Sequence, residues 1–112
     1  MKKIEAIIRP EKLDSVRHAL EDISSPGLMI TEIEGHGKQK GITRQWRGKE
    51  YKVELLPKIK IEIVIRDQDV DRVIKTIIKN AKTGEIGDGK IFIYPVENIV
   101  RIRTAEEGDV AV

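Results

Sequence analysis

Between Lys58 and Arg66 an isoleucine stands at every second position: Ile59, Ile61, Ile63 and Ile65. Lys60, Glu62 and Val64 fill the places between them. Side chains on a strand alternate between its two faces, so this run predicts a strand with one wholly apolar face. Such a face needs a cover. Val70, Val73, Ile74, Ile77, Ile78 and Ala81 follow at helical spacing and supply one. Asp67-Gln68-Asp69 supplies a capping residue and a first-turn acid for that helix. A glycine-rich turn comes next, then a strand from Lys90 to Tyr94, stopped by Pro95.

The first third of the chain has the same order. Lys2 to Arg9 reads as a strand, with Ile4, Ala6 and Ile8 on one face and Glu5 and Ile7 on the other. Pro10 suits the first turn of a helix, where a missing N–H costs nothing. Leu13, Val16, Leu20 and Ile23 continue at helical spacing, with Ala19 beside them and His18 off the stripe. Ser24-Ser25-Pro26-Gly27 stops that helix. Leu28 to Glu34 is a second strand, with Leu28, Ile30 and Glu32 on one face and Met29, Thr31 and Ile33 on the other. The order β-α-β, long connection, β-α-β predicts an α+β chain of the ferredoxin-like, split β-α-β kind. Both helices then cover one face of an antiparallel sheet of four or five strands. The opposite face mixes Ile7 and Val64 with Lys60 and Glu62, so other copies of the chain are expected to cover it.

Size and composition narrow the function classes. At 112 residues the chain is one domain. Charged residues make up 36% of it, yet the net charge is only +2, which argues against a general nucleic-acid binder. With no cysteine there is neither a disulfide framework nor a thiolate metal site. His18 and His36 are too few for a histidine-rich one. Glu5 and Arg9 interrupt the N-terminus too early for a signal segment. No apolar run approaches the roughly 20 residues that cross a bilayer, so a cytoplasmic location is expected.

Two stretches carry candidate chemistry. Thr83 to Ile93 reads T-G-E-I-G-D-G-K-I-F-I. Gly84, Gly87 and Gly89 permit positive φ and a close approach of backbone to ligand. Successive N–H groups in such a turn form an anion-binding concavity, and Lys90 adds a positive charge beside it. The same residues also suit a plain hairpin turn with an exposed lysine. Neither a Walker loop nor a Rossmann turn fits, since both open a helix. The second stretch, Lys38 to Glu54, has no clear period. Its cations Lys38, Lys40, Arg44, Arg47, Lys49 and Lys52 outnumber Glu50 and Glu54 by four. A connection this long in a small domain is usually functional or disordered. Trp46 and Tyr51 within it suit a partner surface, or else fold back on the sheet.

Further cations fall into place around a phosphate. Arg101 and Arg103 are two apart, so on a strand from Ile99 to Arg103 they point the same way. Two guanidinium forks suit a polyphosphate, although an arginine pair also protects an exposed sheet edge. Lys58 and Gln39 stand at the two bases of the long stretch, where a small dicarboxylate or a metal–phosphate complex would fit between them. No nucleophile–base set is present. Thr104 to Val112 is acidic and reads as a mobile terminus.

These segments together resemble the P-II nitrogen-regulatory family. The resemblance runs through Thr83 to Ile93, through Gly35-His36-Gly37-Lys38-Gln39-Lys40-Gly41, through Leu56-Pro57-Lys58-Ile59-Lys60-Ile61-Glu62-Ile63 and through Val100-Arg101-Ile102-Arg103-Thr104. It covers residues 1–112 as a single domain, with a flexible T-loop at 37–55 between strands 2 and 3. A phosphate-binding loop falls at 82–90 and a C-terminal segment at 101–112. The resemblance implies a homotrimer that binds ATP or ADP between subunits, with Mg2+ and 2-oxoglutarate joining ATP. By position, Gly87, Asp88, Gly89 and Lys90 would hold phosphates, and Arg101 and Arg103 would reach them from the neighbouring subunit. Ile7, Met29, Gly35, Glu62 and Val64 would line the adenine and ribose, with Lys38 near the phosphates. Gln39 would ligate Mg2+ and contact 2-oxoglutarate, together with Gly37, Lys40, Gly41, Lys58, Ile86 and Gly87.

Regulation would pass through the T-loop to a partner, an ammonium transporter foremost, with glutamine synthetase or other nitrogen-metabolism proteins as further partners. Arg47, Trp46 and Tyr51 would touch it, at the inner face of the membrane. Three departures stand out. Lys38 replaces a common arginine, Met29 a small hydroxyl residue, and Trp46 and Lys49 interrupt the family's nucleotidylation signature, although Tyr51 keeps the position of the modified tyrosine. Two other functions on this fold find less support. An RNA-binding module would need stacking aromatics on the central strands, and a nucleotide-using enzyme would need a positioned base.

Overall fold

A computed structural model describes residues 1–23, 27–36, 43–46, 49–52 and 55–112. Strand β1 (Lys2–Ile8) leads through a 3-10 turn (Pro10–Lys12) into α1 (Leu13–Ile23). Strand β2 is Met29–His36, and β3 (Thr43–Trp46) and β4 (Lys49–Lys52) follow. Strand β5 is Leu55–Ile65, α2 is Val70–Ala81 and β6 is Lys90–Pro95. Four strands form one antiparallel sheet in the order β2-β5-β1-β6, and among the described residues β3 and β4 pair with each other. This is the α+β, ferredoxin-like arrangement that the order of elements predicts.

The alternating isoleucines explain why β5 lies centrally. Ile61, Ile63 and Ile65 are at most 1% exposed and Ile59 is nearly as buried. They meet Ile4, Ala6 and Ile8 of β1, whose register sets Ile4 opposite Ile63 and Ala6 opposite Ile61. Val16 and Leu20 of α1 and Val73, Ile77 and Ala81 of α2 close the core from one side. Ile78, expected on the apolar face of α2, is half exposed instead and lines a groove with Ile91 and Ile93 of β6.

Several sequence expectations need correction. Asp69 stands at the N-cap of α2 but makes no side-chain cap bond, and Asp67 instead bonds the Met1 amino group at 2.9 Å, with Lys2 at 3.5 Å. An intact ammonium competes better for a carboxylate than a neutral amide N–H does. The opposite sheet face is also less apolar than its sequence suggests. Lys3 pairs with Glu62 at 2.6 Å, Lys60 lies 3.7 Å from Glu5 and 3.8 Å from Glu62, and the Tyr94 hydroxyl donates to Glu5 at 2.6 Å. Charges that look isolated in sequence satisfy one another across three strands. The helix stop at Ser24-Ser25-Pro26 lies outside the described residues. Part of the long stretch read as an irregular loop is a short ribbon, Thr43 opposite Lys52 and Trp46 opposite Lys49.

Candidate functional site

The segment from α2 to β6 turns on three glycines at positive φ: Gly84 (90°), Gly87 (106°) and Gly89 (100°). Only glycine adopts such values readily. At Gly89 the requirement is also steric. A Cβ there would sit 1.7 Å from the Ile7 carbonyl oxygen, so the loop backbone lies directly on the end of β1.

Asp88 shapes the loop from within. Its carboxylate accepts bonds from the Thr83 hydroxyl (2.5 Å), from the N–H groups of Thr83 and Gly84 (both 2.9 Å) and from Arg9 Nε (3.0 Å). The Thr83 hydroxyl in turn accepts from the Glu85 N–H at 3.1 Å. The Thr83 hydroxyl, the two N–H donors and Arg9 hold the Asp88 carboxyl well below the usual aspartate range. Two of the backbone donors expected to face an anionic ligand therefore face an internal carboxylate.

Two cations clamp the loop to the sheet. Arg9 Nη2 donates to the Ile86 carbonyl at 2.9 Å, beside its bond to Asp88. Lys58 Nζ donates to the Gly87 carbonyl at 2.7 Å, and the residue is only 8% exposed. Burial, with the neighbouring Arg9 charge, draws the Lys58 ammonium below its ordinary value. Gly35 makes room for it, since a Cβ at that position would approach Lys58 Cγ to 3.1 Å. Lys58 was legible in sequence; Arg9 was not, and neither was Thr83, because their partners lie far along the chain or inside the turn.

The sheet registers then place the other sequence-predicted residues. Ile7 stands opposite Lys90 on one side and Lys60 on the other. Met29 lies opposite Glu62, and Gly35 opposite Leu56, so the edge strand β2 runs along the same face. Glu62 and Val64 sit on the face away from the helices, opposite Glu5 and Lys3. A groove of about 350 Å³ beside β6 gathers Ile7, Asp88, Gly89 and Lys90, with Ile74, Ile78 and Ile91 as its apolar wall. Because β2 ends at His36 opposite Leu55, residues 37–54 depart from the sheet end that carries Lys58 and Gly87. Gly37, Lys38, Gln39, Lys40, Gly41 and Arg47 lie outside the described residues, as do the side chains of Trp46 and Tyr51.

Arg101 and Arg103 are not on a strand. Val100 makes a lone bridge to Glu107, and the chain between them turns. Arg101 N donates to the Glu106 carbonyl (2.8 Å) and Ala105 N to the Arg101 carbonyl (2.7 Å). The alternation of isoleucine and arginine is overridden because Glu106 folds back onto Arg101, and Ile102 is left fully exposed. In the tail, Arg66 Nη2 donates to the Asp109 carbonyl at 3.4 Å. Arg66 and Lys58 stand eight residues apart on or beside one strand, about 26 Å at the usual rise. Within one chain the arginine pair and the glycine loop therefore occupy opposite ends of the sheet.

The phosphate-binding reading fits this chemistry in part. A glycine loop with its backbone exposed, an adjacent Lys90 and a buried Lys58 suit a polyanion. A divalent cation is less well served: among the described residues no group of three or more carboxylate or imidazole side chains gathers to hold one. Mg2+ is usually held by one or two protein groups together with the phosphates of its substrate.

Comparison with known proteins decides the family. The model for "Nitrogen regulatory protein P-II" matches residues 1–106. This chain belongs to the P-II family. The P-II 2 protein of Methanothermobacter thermautotrophicus is 58% identical over all 112 residues, which span 97% of that protein. The P-II protein of Pasteurella multocida and P-II 1 of Escherichia coli (strain K12) are each 55% identical over their full lengths. P-II proteins are signal-transduction regulators that act on partner proteins; they are generally oligomeric, bind nucleotides and effectors, and are not enzymes. Among the described residues of this P-II chain no helix is long and apolar enough to cross a membrane.

Proposed function

We propose that this P-II chain senses ATP or ADP together with 2-oxoglutarate and passes the result to a partner through residues 37–55. The observation that carries the reading is the pair of cations, Arg9 and Lys58, gathered under the glycine loop at the sheet end from which residues 37–54 depart. A ligand seated there touches the loop and the base of the connecting stretch at once. Gly87, Gly89 and Lys90 hold phosphates, and Asp88 contributes by shaping the turn. Ile7, Met29, Gly35, Glu62 and Val64 line the adenine and ribose, and Lys38 adds charge. Gln39 ligates Mg2+ and, with Gly37, Lys40, Gly41, Lys58, Ile86 and Gly87, receives 2-oxoglutarate.

The separation of Arg101 and Arg103 from the glycine loop supports a site shared between copies, in a homotrimer. One copy then lends the loop and its neighbour the arginines. The partner is an ammonium transporter, reached by Arg47, Trp46 and Tyr51 at the inner membrane face, with glutamine synthetase a further candidate. Ligand at Gln39 and Lys58 fixes the base of the stretch and so selects its shape, an order–disorder switch.

Calorimetric titration of 2-oxoglutarate, with and without Mg-ATP, tests the reading. Binding should require Mg-ATP and vanish in Lys58→Ala. Binding that ignores Mg-ATP, or survives the substitution, overturns the assignment of Lys58. Loss of all nucleotide binding in the wild-type chain overturns the whole reading.

A further inference from the structure

Residues 98–110 close on themselves through a set of hydrogen bonds centred on one guanidinium. Arg101 Nη1 donates to Glu106 Oε1 at 2.8 Å, and Nη2 donates to the Val110 carbonyl at 3.0 Å. The same Glu106 oxygen accepts the Thr104 hydroxyl at 2.8 Å. Asn98 donates to Glu107 at 3.0 Å and Gly108 N to the Ile99 carbonyl at 3.0 Å, which ties off the hairpin. Both terminal nitrogens of Arg101 are thus held by its own segment. A phosphate group asks for the same two donors in the same fork.

We propose that Glu106 sets nucleotide affinity by standing in for phosphate on Arg101. This rests on the nucleotide reading above, and Glu106 is a positioning residue that acts through the arginine. A bound phosphate must first displace the carboxylate and open the hairpin. The contact is suited to displacement. Arg101 is 37% and Glu106 45% exposed at the side chain, so solvent and salt weaken the pair. The turn also passes through Ala105 at φ 60°, a left-handed conformation that a residue with a Cβ adopts reluctantly. The closed hairpin therefore lies close in free energy to an open one. Each phosphorylated ligand that recruits Arg101 must overcome the same small opposition, and affinity is held below what the cations alone would give.

The test is a cycle of four proteins: wild type, Glu106→Gln, Arg101→Ala and the double variant, each titrated with ATP at low and physiological salt. Glu106→Gln keeps the shape and removes the charge. In the wild-type background it should tighten ATP about three- to fivefold, the size expected for loss of an exposed ion pair, with the gain larger at low salt. In the Arg101→Ala background the same substitution should change nothing. An unchanged ATP affinity in Glu106→Gln overturns the proposal, as does an equal gain in both backgrounds, which would mark a general charge effect. A wild-type chain that binds no ATP would instead remove the nucleotide reading on which the proposal stands.

Discussion

Arg9 Nε donates to Asp88 Oδ1 at 3.0 Å across 79 residues of sequence. That bond joins the end of β1 to the turn before β6, and the second Arg9 bond, to the Ile86 carbonyl, makes the joint bidentate. A forked guanidinium can span two acceptors that an ammonium cannot. Arg9→Ala should therefore release the turn. We expect the Thr83 and Gly84 amides to exchange faster with solvent and unfolding free energy to fall by about 1–2 kcal/mol. Arg9→Lys should recover the charge but little of the protection. Hydrogen exchange on the three proteins decides it, and equal protection in all three would show that Asp88 orders the turn alone.

Gly89→Ala is expected to be the most damaging substitution in the loop. Its Cβ would enter the space of the Ile7 carbonyl oxygen, and φ of 100° adds strain. The backbone strain alone is worth about 1–3 kcal/mol. Nucleotide affinity should drop by more than tenfold while the secondary structure, read by circular dichroism, persists. Gly84→Ala, with φ of 90° but open space around it, should show the strain without the collision and lose less.

The Asp88 carboxyl gives a pH signature. Its folded-state pKa is depressed, so its contribution to the closed turn is fully present above the ordinary aspartate value near 3.9 and is lost as pH falls through the lower, folded value. The Thr83 and Gly84 amide shifts should stay flat down to about pH 4 and move only below it. Asp88→Asn should abolish that low-pH step. Movement of those amides between pH 5 and 7 would contradict the hydrogen-bond arrangement.

Core packing gives a control far from the ligand. Ile61 is 1% exposed in the middle of β5, and truncation to alanine leaves a cavity between sheet and helices. Denaturant melts should lose about 2–5 kcal/mol, with ATP affinity per folded molecule unchanged.

What could be read in advance follows a physical line. Ile59, Ile61, Ile63 and Ile65 declared their strand because burial on one face imposes period two on the sequence itself. Val73, Ile77 and Ala81 did the same for α2 at helical spacing. Lys58 was legible as a charge at the edge of an apolar run. Arg9 was hidden, since nothing local in Ile8-Arg9-Pro10 marks a partner 79 residues away. The inward turn of the Asp88 side chain was hidden for a related reason: a carboxylate among glycines can turn outward or inward, and the choice rests on Thr83 and Arg9 together. The strand expected at Ile99 to Arg103 failed because a charged pair, Arg101 with Glu106, outweighed a weak alternation in an exposed segment.

The opposite placement of the glycine loop and the arginine hairpin on one sheet also has a genetic consequence. If neighbouring copies complete each other, a chain spoiled at Gly89 and a chain spoiled at Arg101 each bind weakly alone. Mixed in one ring, they form some junctions in which an intact loop meets an intact arginine. Two defective alleles then restore between them some of the binding sites that neither forms alone.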